Sequence, residues 1–211
     1  MEESQRRKKI LALLAKTYPD AYCALHHETP FQLLIATILS AQCTDERVNK
    51  VTPELFEKYP DAKSMSKARI TSLESLVRST GFYRSKAKSL KESSIDIVER
   101  FDGKLPRSIE ELTQLRGVGR KTANVLLGNA FGINKGVVVD THVGRLSRRF
   151  GLTKEKNPVK VEKDLMEIVP KKNWTLISHQ MIFHGRALCK AQRPQCGNCP
   201  FALELCPSAE L

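Results

Sequence analysis

The sequence has few of the features that mark a β-sheet protein or a repeat protein. Strand-like alternation of apolar and polar residues is nearly absent, and the short β-branched run at residues 137–139 has no second run with which to pair. We therefore expect that run to be an extended connector. The sequence also has no low-complexity linker and no internal repeat, so nothing in it indicates a solenoid or a propeller.

Long apolar runs are missing as well. The most apolar stretch, residues 31–41, contains Gln32 and falls short of the roughly 20 residues that span a bilayer. The apolar stretch at residues 10–15 is too short for the core of a signal peptide. We therefore expect a soluble, cytoplasmic protein with no membrane partner. Its six cysteines would be thiols or metal ligands, because disulfides do not persist in a reducing compartment.

Positive charge, in contrast, is abundant. The 35 Lys and Arg residues outnumber the 23 Asp and Glu residues, which gives a formal net charge of +12. A charge of this sign and size favours a polyanionic partner, and nucleic acid is the first candidate. Charge alone fits an ordinary basic protein equally well, so the functional case depends on the motifs.

The apolar spacing predicts helices almost throughout, about ten in all. Helix starts are marked by capping residues or by a proline in the first turn, at Thr29-Pro30, at Ser108 with Glu111 and at Asn157-Pro158. Residues 31–41 are apolar nearly all round, as in a helix buried at the centre of a bundle. The expected fold is therefore all-α, and 211 residues suffice for one large domain or two small ones.

Four cysteines form an array near the C-terminus, with gaps of six, two and six residues: Cys189, Cys196, Cys199 and Cys206. This spacing lets four thiolates converge on one metal centre. Zinc sites usually pair two short gaps, whereas this array has one, so an iron-sulfur cluster is better suited, and the spacing alone leaves both metals open. Either centre would be structural, because four protein ligands leave no open coordination position.

The tail that carries this array also contains prolines and Gly197, which forbid a long helix. We expect a metal, rather than an apolar core, to order the tail. Its first arc carries Lys190 and Arg193, which are either ordinary surface charges or cations that a metal-pinned loop presents to phosphate. Cys23 and Cys43 lie apart from the array, and we interpret both as small buried hydrophobic residues.

A glycine-rich turn follows residue 116. Gly117 and Gly119 separate two helical stretches, allow a tight hairpin and bring backbone N–H groups within reach of a phosphate. Such a helix-hairpin-helix binds DNA without reading its sequence. As an isolated pattern, Gly-x-Gly fits a plain turn between helices equally well. Arg120 and Lys121 come next, in the first turn of the second helix.

Lys121 occupies a position where the helix dipole disfavours a cation. One interpretation is a phosphate-binding lysine beside the hairpin. The other is a nucleophile, which must be neutral when it attacks, so that desolvation and the neighbouring cation Arg120 would assist it. For that role we expect Lys121 to lie in a cleft.

Asp140 follows the β-branched run and precedes another helical stretch, where its ordinary role is that of an N-cap. A cap fixes the carboxylate and leaves one oxygen for chemistry. An amine and a carboxylate in one cleft suit Schiff-base chemistry at a sugar C1′, in which the carboxylate steers protons or stabilises cationic sugar. A tight ion pair would hold Lys121 protonated, so we expect none in the free protein. His142 either orients Asp140 or contacts a substrate.

Four parts of the chain resemble the endonuclease III family of helix-hairpin-helix DNA glycosylases: residues 33–45, residues 117–124, Val139-Asp140-Thr141-His142-Val143 and the four terminal cysteines. The resemblance covers nearly the whole chain. It implies an all-α fold of two helical domains that flank a DNA-binding cleft. Residues 23–133 would form a six-helix barrel domain, with the helix-hairpin-helix near residues 112–130. Residues 1–22 and 134–211 would form the iron-sulfur cluster domain.

The resemblance also implies a function. The chain would be a monomeric, bifunctional DNA glycosylase and AP lyase of base excision repair, nucleoid-associated in a bacterium, that acts on damaged double-stranded DNA. It would flip oxidised or ring-saturated pyrimidines out of the stack, remove them and cleave the abasic site by β-elimination. Lys121 matches the family's Schiff-base lysine and Asp140 its catalytic aspartate. The four cysteines match the ligands of a 4Fe-4S cluster.

Eight residues are predicted to bind DNA: Gln42, Phe82, Gly117, Gly119, Arg120, His142, Lys190 and Arg193. Gln42 matches the family residue that fills the gap in the duplex. Three features depart from the family pattern. Phe82 replaces the usual leucine wedge, which leaves the opposite-base preference open. Arg116 replaces the usual proline before the hairpin, and the last cysteine gap has six residues where five are common.

Three alternatives remain. A monofunctional mismatch glycosylase would carry a serine-type residue at the position of Lys121. An enzyme that acts mainly as an abasic-site lyase would share the motifs. A non-catalytic iron-sulfur protein that binds DNA would need the fold and the charge but not both Lys121 and Asp140, so their joint presence argues against it.

Overall fold

A computed structural model describes residues 1–210, and within that range the chain is helical and contains no strand. The α-helices of this range are α1 Glu3–Thr17, α2 Pro30–Leu39, α3 Asp45–Lys58, α4 Ala62–Ser66, α5 Ile70–Val77, α6 Tyr83–Phe101, α7 Ile109–Leu112, α8 Arg120–Phe131, α9 Thr141–Arg149, α10 Pro158–Ile168 and α11 Trp174–Ala187. Short 3₁₀ turns occur at Arg78–Thr80, Lys171–Asn173 and Cys196–Asn198. None of the helices in the described range is long and apolar enough to span a bilayer.

The helix starts confirm the capping prediction. The Thr29 side chain accepts a hydrogen bond from the Gln32 N–H at 3.2 Å, and Asn157 caps α10 in the same way. Ser108 caps α7 by accepting from the Glu111 N–H at 3.2 Å, and its hydroxyl donates to the Glu111 carboxylate at 2.7 Å. Residues 137–139 lie outside any helix or strand, as expected of a connector.

The chain divides into two compact units. We call Cys23–Ile133 the internal unit, and Met1–Tyr22 with Asn134–Leu211 the terminal unit. The internal unit contains α2 to α8, and its core is built around α2. Every residue from 31 to 39 is buried, and α2 packs against α3, α6 and α8. This confirms the prediction of a central buried helix, although the helix ends at Leu39 and Ala41 is exposed in the turn that follows.

The terminal unit contains α1 and α9 to α11. Leu14, Leu146 and Met181 are fully buried in its core, where α11 packs against both α1 and α9. Phe201, from the cysteine tail, is fully buried in the same cluster, and its ring lies 4.8 Å from that of the buried His184. The expectation that the tail has no apolar core was therefore wrong, because the segment between the last two cysteines packs on the helices.

Candidate active site and cysteine centre

The hairpin of the internal unit connects α7 to α8. Gly117 has a φ of +80°, and a Cβ built on it would lie 2.9 Å from the Cβ and Oγ of the buried Ser89 on α6. Both the backbone conformation and the packing therefore require glycine. Gly119 differs, because its φ is −94° and a Cβ there would point into open space. Gly117 thus makes the turn, whereas Gly119 leaves room for a ligand to approach the backbone.

Helix α8 begins directly after this hairpin. Gly119 occupies the N-cap position, where it offers no side chain to the first-turn N–H groups, and Arg120 and Lys121 lie in the first turn. This confirms the predicted helix start. The side chain of Lys121 is exposed. The structure therefore does not show the burial that we expected for this amine.

Asp140 belongs to the terminal unit and confirms the N-cap prediction. Its Oδ1 accepts a hydrogen bond from the Val143 N–H at 2.8 Å, so the carboxylate is fixed at the start of α9. Burial lowers the pKa of His179, and the negative charge of Asp140 opposes this shift. His142, two residues after Asp140, has its Nδ1 3.2 Å from Nη2 of Arg145.

Two exposed turns of the internal unit have strained backbones. Gln42, between α2 and α3, has a φ of +52°, and Phe82, at the start of α6, has a φ of +48°. The left-handed region costs a non-glycine residue about 1–2 kcal/mol, and such strain gathers at functional sites. Phe82 is also 67% exposed, so its apolar side chain faces solvent. Gln42 and Phe82, the two residues that the sequence predicted to enter the duplex, therefore both lie in exposed turns with a strained backbone.

The four predicted metal ligands line one cavity of the terminal unit. All are free thiols, and within residues 1–210 no three His, Cys, Asp or Glu side chains are placed to hold a metal ion. Burial raises the pKa of Cys199 and of Cys206, and the negative charges of Cys189 and Cys196 raise both further. Four thiolates in this cavity would repel one another, so the chemistry of the four donors, though not the present spacing of their side chains, suits a cationic metal centre.

Helix α9 also holds the first arc of the cysteine tail. Arg149 donates hydrogen bonds to Sγ of Cys189 at 3.2 Å and to the carbonyl of Lys190 at 2.7 Å, and Arg145 donates to the carbonyl of Cys189 at 2.9 Å. The side chains of Lys190 and Arg193 are exposed, and Arg193 has a positive φ of 50°. The arc therefore presents two cations from a fixed backbone.

Comparisons with known proteins identify the family. Residues 35–171 match the model of the HhH-GPD superfamily base excision DNA repair proteins. The chain is 55% identical over 208 residues to endonuclease III of Synechocystis sp., which covers 99% of this chain and 94% of that protein. The chain belongs to the endonuclease III family. It is therefore an enzyme of base excision DNA repair, a DNA glycosylase with abasic-site lyase activity.

Solved endonuclease III structures agree with this assignment. A non-covalent endonuclease III–DNA complex and a trapped endonuclease III–DNA covalent intermediate each align with a TM-score of 0.93 and 46% identity. The alignments cover 99% of this chain and 97% and 98% of those chains. These similarities confirm the predicted all-α helix-hairpin-helix fold. They also confirm the resemblance to the endonuclease III family that the motifs indicated.

Arg116, which directly precedes the hairpin, is paired within the protein. Its Nη1 lies 3.2 Å from Oε2 of Glu92 on α6. Both side chains are partly exposed, so this pair contributes little to the free energy of unfolding. It does hold the entry of the hairpin to the same helix on which Gly117 packs.

Lys86, on α6, makes contacts that no sequence motif indicated. It is only 5% exposed, and its Nζ donates hydrogen bonds to the carbonyls of Leu39 and Thr80, both at 2.8 Å. Burial lowers its pKa, and the nearby Cys43 opposes the shift. A signal was present in the sequence: Lys86 precedes Leu90 by four residues, so it lies on the buried stripe of α6.

Proposed function

We propose that this endonuclease III family member removes oxidised or ring-saturated pyrimidines from double-stranded DNA, with Lys121 as its nucleophile and Asp140 as its catalytic carboxylate. The observation that carries the assignment of the nucleophile is an exposed amine in the first turn of α8, beside the open backbone at Gly119. A solved relative, the trapped covalent intermediate of endonuclease III with DNA, supports covalent chemistry here as well.

The proposed reaction begins at C1′ of the damaged nucleotide. The lone pair of the Lys121 amine attacks C1′, the new C1′–N bond forms, and the bond between C1′ and the base breaks as the base leaves with a proton. Opening of the sugar gives an imine with Lys121. Loss of a C2′ proton then expels the 3′ phosphate oxygen, which cleaves the strand by β-elimination. Because the side chain of Lys121 is exposed, its amine is open to a nucleotide that approaches the hairpin.

Asp140 is proposed to act on the same sugar. The hydrogen bond from the Val143 N–H holds its carboxylate in place. A fixed negative charge stabilises the cationic character that develops at C1′ as the base departs, and it accepts a proton in later steps. Asp140 can therefore both cap α9 and act in the reaction, because the hydrogen bond of the cap fixes the carboxylate that would act on the sugar.

Binding of damaged DNA is proposed to use both units. The hairpin of Gly117, Gly119 and Arg120 would contact a phosphate through backbone N–H groups, and Lys190 and Arg193 would contact others. Gln42 and Phe82 would fill the space that a flipped nucleotide leaves, because extrusion costs a few kcal/mol that contacts in the gap offset. We assign the internal unit as the helical barrel domain, the terminal unit as the cluster domain, and the monomer as the active form.

The cysteine centre is proposed to hold a 4Fe-4S cluster, with one ligand each from Cys189, Cys196, Cys199 and Cys206. Membership of the endonuclease III family and the mutual repulsion of four thiolates in one cavity support this choice. When bound, the cluster supplies positive charge and cross-links the tail. Hydrogen bonds from Arg149 and Arg145 to backbone carbonyls hold the arc that carries Lys190 and Arg193.

A panel of duplexes tests the proposed substrate class. Each duplex carries one lesion or one undamaged pyrimidine, and base release and strand cleavage are scored separately. We expect both events at oxidised or ring-saturated pyrimidines and neither at undamaged ones. Strand cleavage only at preformed abasic sites would instead indicate a lyase, and binding without either event would indicate a non-catalytic protein.

A matched pair of variants tests the nucleophile in the same assay. Lys121→Gln should abolish strand cleavage, because an amide is not nucleophilic enough to attack C1′. Lys135→Gln removes another exposed positive charge, from the segment between α8 and α9, and should cleave like the wild type. Equal cleavage by the Lys121→Gln variant would refute the assignment.

A further inference from the structure

Lys86 connects the two strained turns of the internal unit. Leu39 is the last residue of α2, three residues before Gln42, and Thr80 lies two residues before Phe82. The Lys86 ammonium donates to both carbonyls at 2.8 Å, and its backbone N–H donates to the carbonyl of Phe82 at 3.0 Å. One buried side chain thus joins the end of α2 to the segment that leads into Phe82.

The chemistry of this arrangement is unusual for a lysine. Lysine is almost never fully buried unless it is paired, because burial disfavours the charged ammonium. Here the partners are two carbonyl oxygens, one of them at the C-terminal end of α2, where helix carbonyls lack partners and the dipole is negative. An apolar residue at this buried position would suffice for packing alone. The Lys86 ammonium adds two hydrogen bonds, which restrain the distance between the two exposed turns.

We propose that Lys86 is a positioning residue for lesion recognition: it fixes the spacing between the Gln42 and Phe82 turns so that both side chains enter the duplex together. The proposal rests on the proposed function, in which those two residues fill the gap left by the flipped nucleotide. Lys86 itself is buried, so it would act through the two turns rather than by contact with DNA.

Lys86→Met is the principal variant, because methionine has a similar length but donates no hydrogen bond to Leu39 or Thr80. Lys88→Met is the matched control, since Lys88 is an exposed lysine of the same helix whose Nζ lies 3.7 Å from the Glu92 carboxylate. Lys86→Gln retains one polar donor group and replaces Lys86→Met if that variant does not fold. Circular dichroism and iron content establish that each variant is folded and carries its metal.

The first readout is the fluorescence of 2-aminopurine placed opposite an uncleavable tetrahydrofuran abasic analogue. When the wild type binds, displacement of the opposite base should raise the 2-aminopurine fluorescence. Lys86→Met should bind the same duplex but raise this fluorescence much less. The second readout compares cleavage of an abasic site in duplex and in single-stranded DNA, since a single strand has no gap to fill. Duplex cleavage by Lys86→Met should fall between roughly ten- and a hundredfold, the loss expected when positioned groups move by about an ångström. Single-stranded cleavage should not fall with it.

The outcomes separate this proposal from the proposed function. The role of Lys86 would be overturned if Lys86→Met raised the fluorescence as much as the wild type does. It would also be overturned if Lys86→Met lost cleavage of duplex and single-stranded DNA equally. A wild type without lyase activity would refute the proposed function, and the fluorescence readout would still decide the role of Lys86. In a Gln42→Ala, Phe82→Ala background, Lys86→Met should cause no additional loss of duplex cleavage, because Lys86 acts through those two side chains.

Discussion

Replacement of Gly117 by alanine should destabilise the internal unit through two separate effects. The φ of +80° places alanine in the left-handed region, which costs about 1–2 kcal/mol. The new methyl group would also lie 2.9 Å from the Cβ and Oγ of buried Ser89, and overpacking of this kind costs about 1–3 kcal/mol. We expect the free energy of unfolding to fall by roughly 2–5 kcal/mol in total.

The two effects can be separated by a double-mutant cycle. Urea denaturation followed by circular dichroism would be measured for the wild type, Gly117→Ala, Ser89→Gly and the double variant. Ser89→Gly removes both clashing atoms, so the double variant should recover about 1–3 kcal/mol relative to the sum of the single changes. Gly119→Ala is the matched control, because its φ of −94° suits alanine and its Cβ would enter open space.

A loss well below 1 kcal/mol for Gly117→Ala, or a cycle with no coupling to Ser89, would show that the hairpin does not pack on α6 as described. A large loss for Gly119→Ala would contradict the distinction between the two glycines. Weaker DNA binding by Gly119→Ala at unchanged stability is the expected sign that a phosphate approaches the backbone there.

Three further predictions concern charge and protonation. Asp140→Asn should keep the N-cap and lose activity, whereas Asp140→Ala should also lose about 1 kcal/mol of stability; normal activity in Asp140→Asn would remove the carboxylate from the chemistry. Purified without oxygen, the protein should be brown with about four iron atoms per chain, and a colourless preparation with a single zinc would contradict the cluster. Because burial lowers the pKa of His179 below its ordinary value of 6.5, the unfolded state binds a proton first as the pH falls. The free energy of unfolding should therefore be undiminished by His179 above pH 6.5 and should decline below that pH, by at most about 1.4 kcal/mol per pH unit. In urea denaturation, His179→Gln should make this decline less steep.

Local patterns predicted most of the helical framework. The Thr29 and Asn157 caps, the turn at Gly117 and the buried helix at residues 31–39 each depend on neighbours within a few positions, which the sequence displays directly. The N-cap of Asp140 belongs to the same class. Family motifs then supplied a function that the helical pattern alone does not indicate.

Other features depend on contacts between distant segments. The sequence does not show that Lys86 reaches Leu39, 47 positions away, or that Phe201 packs on the helices of the terminal unit. The positive φ of Gln42 and of Phe82 follows from how their turns are held, since neither residue type favours that conformation. The exposure of Lys121 was likewise misjudged, because the cover of a side chain depends on segments that the sequence alone does not place.

The proposed mechanism depends on a covalent bond between the enzyme and the sugar, and borohydride reduction traps that bond. The enzyme is incubated with a duplex that carries an abasic site, the imine is reduced, and the adduct is digested and mapped by mass spectrometry. We predict a single adduct on the peptide that contains Lys121, present in Lys135→Ala and absent from Lys121→Ala. An adduct on another amine, or trapping undiminished in Lys121→Ala, would contradict the assignment of Lys121 as the nucleophile.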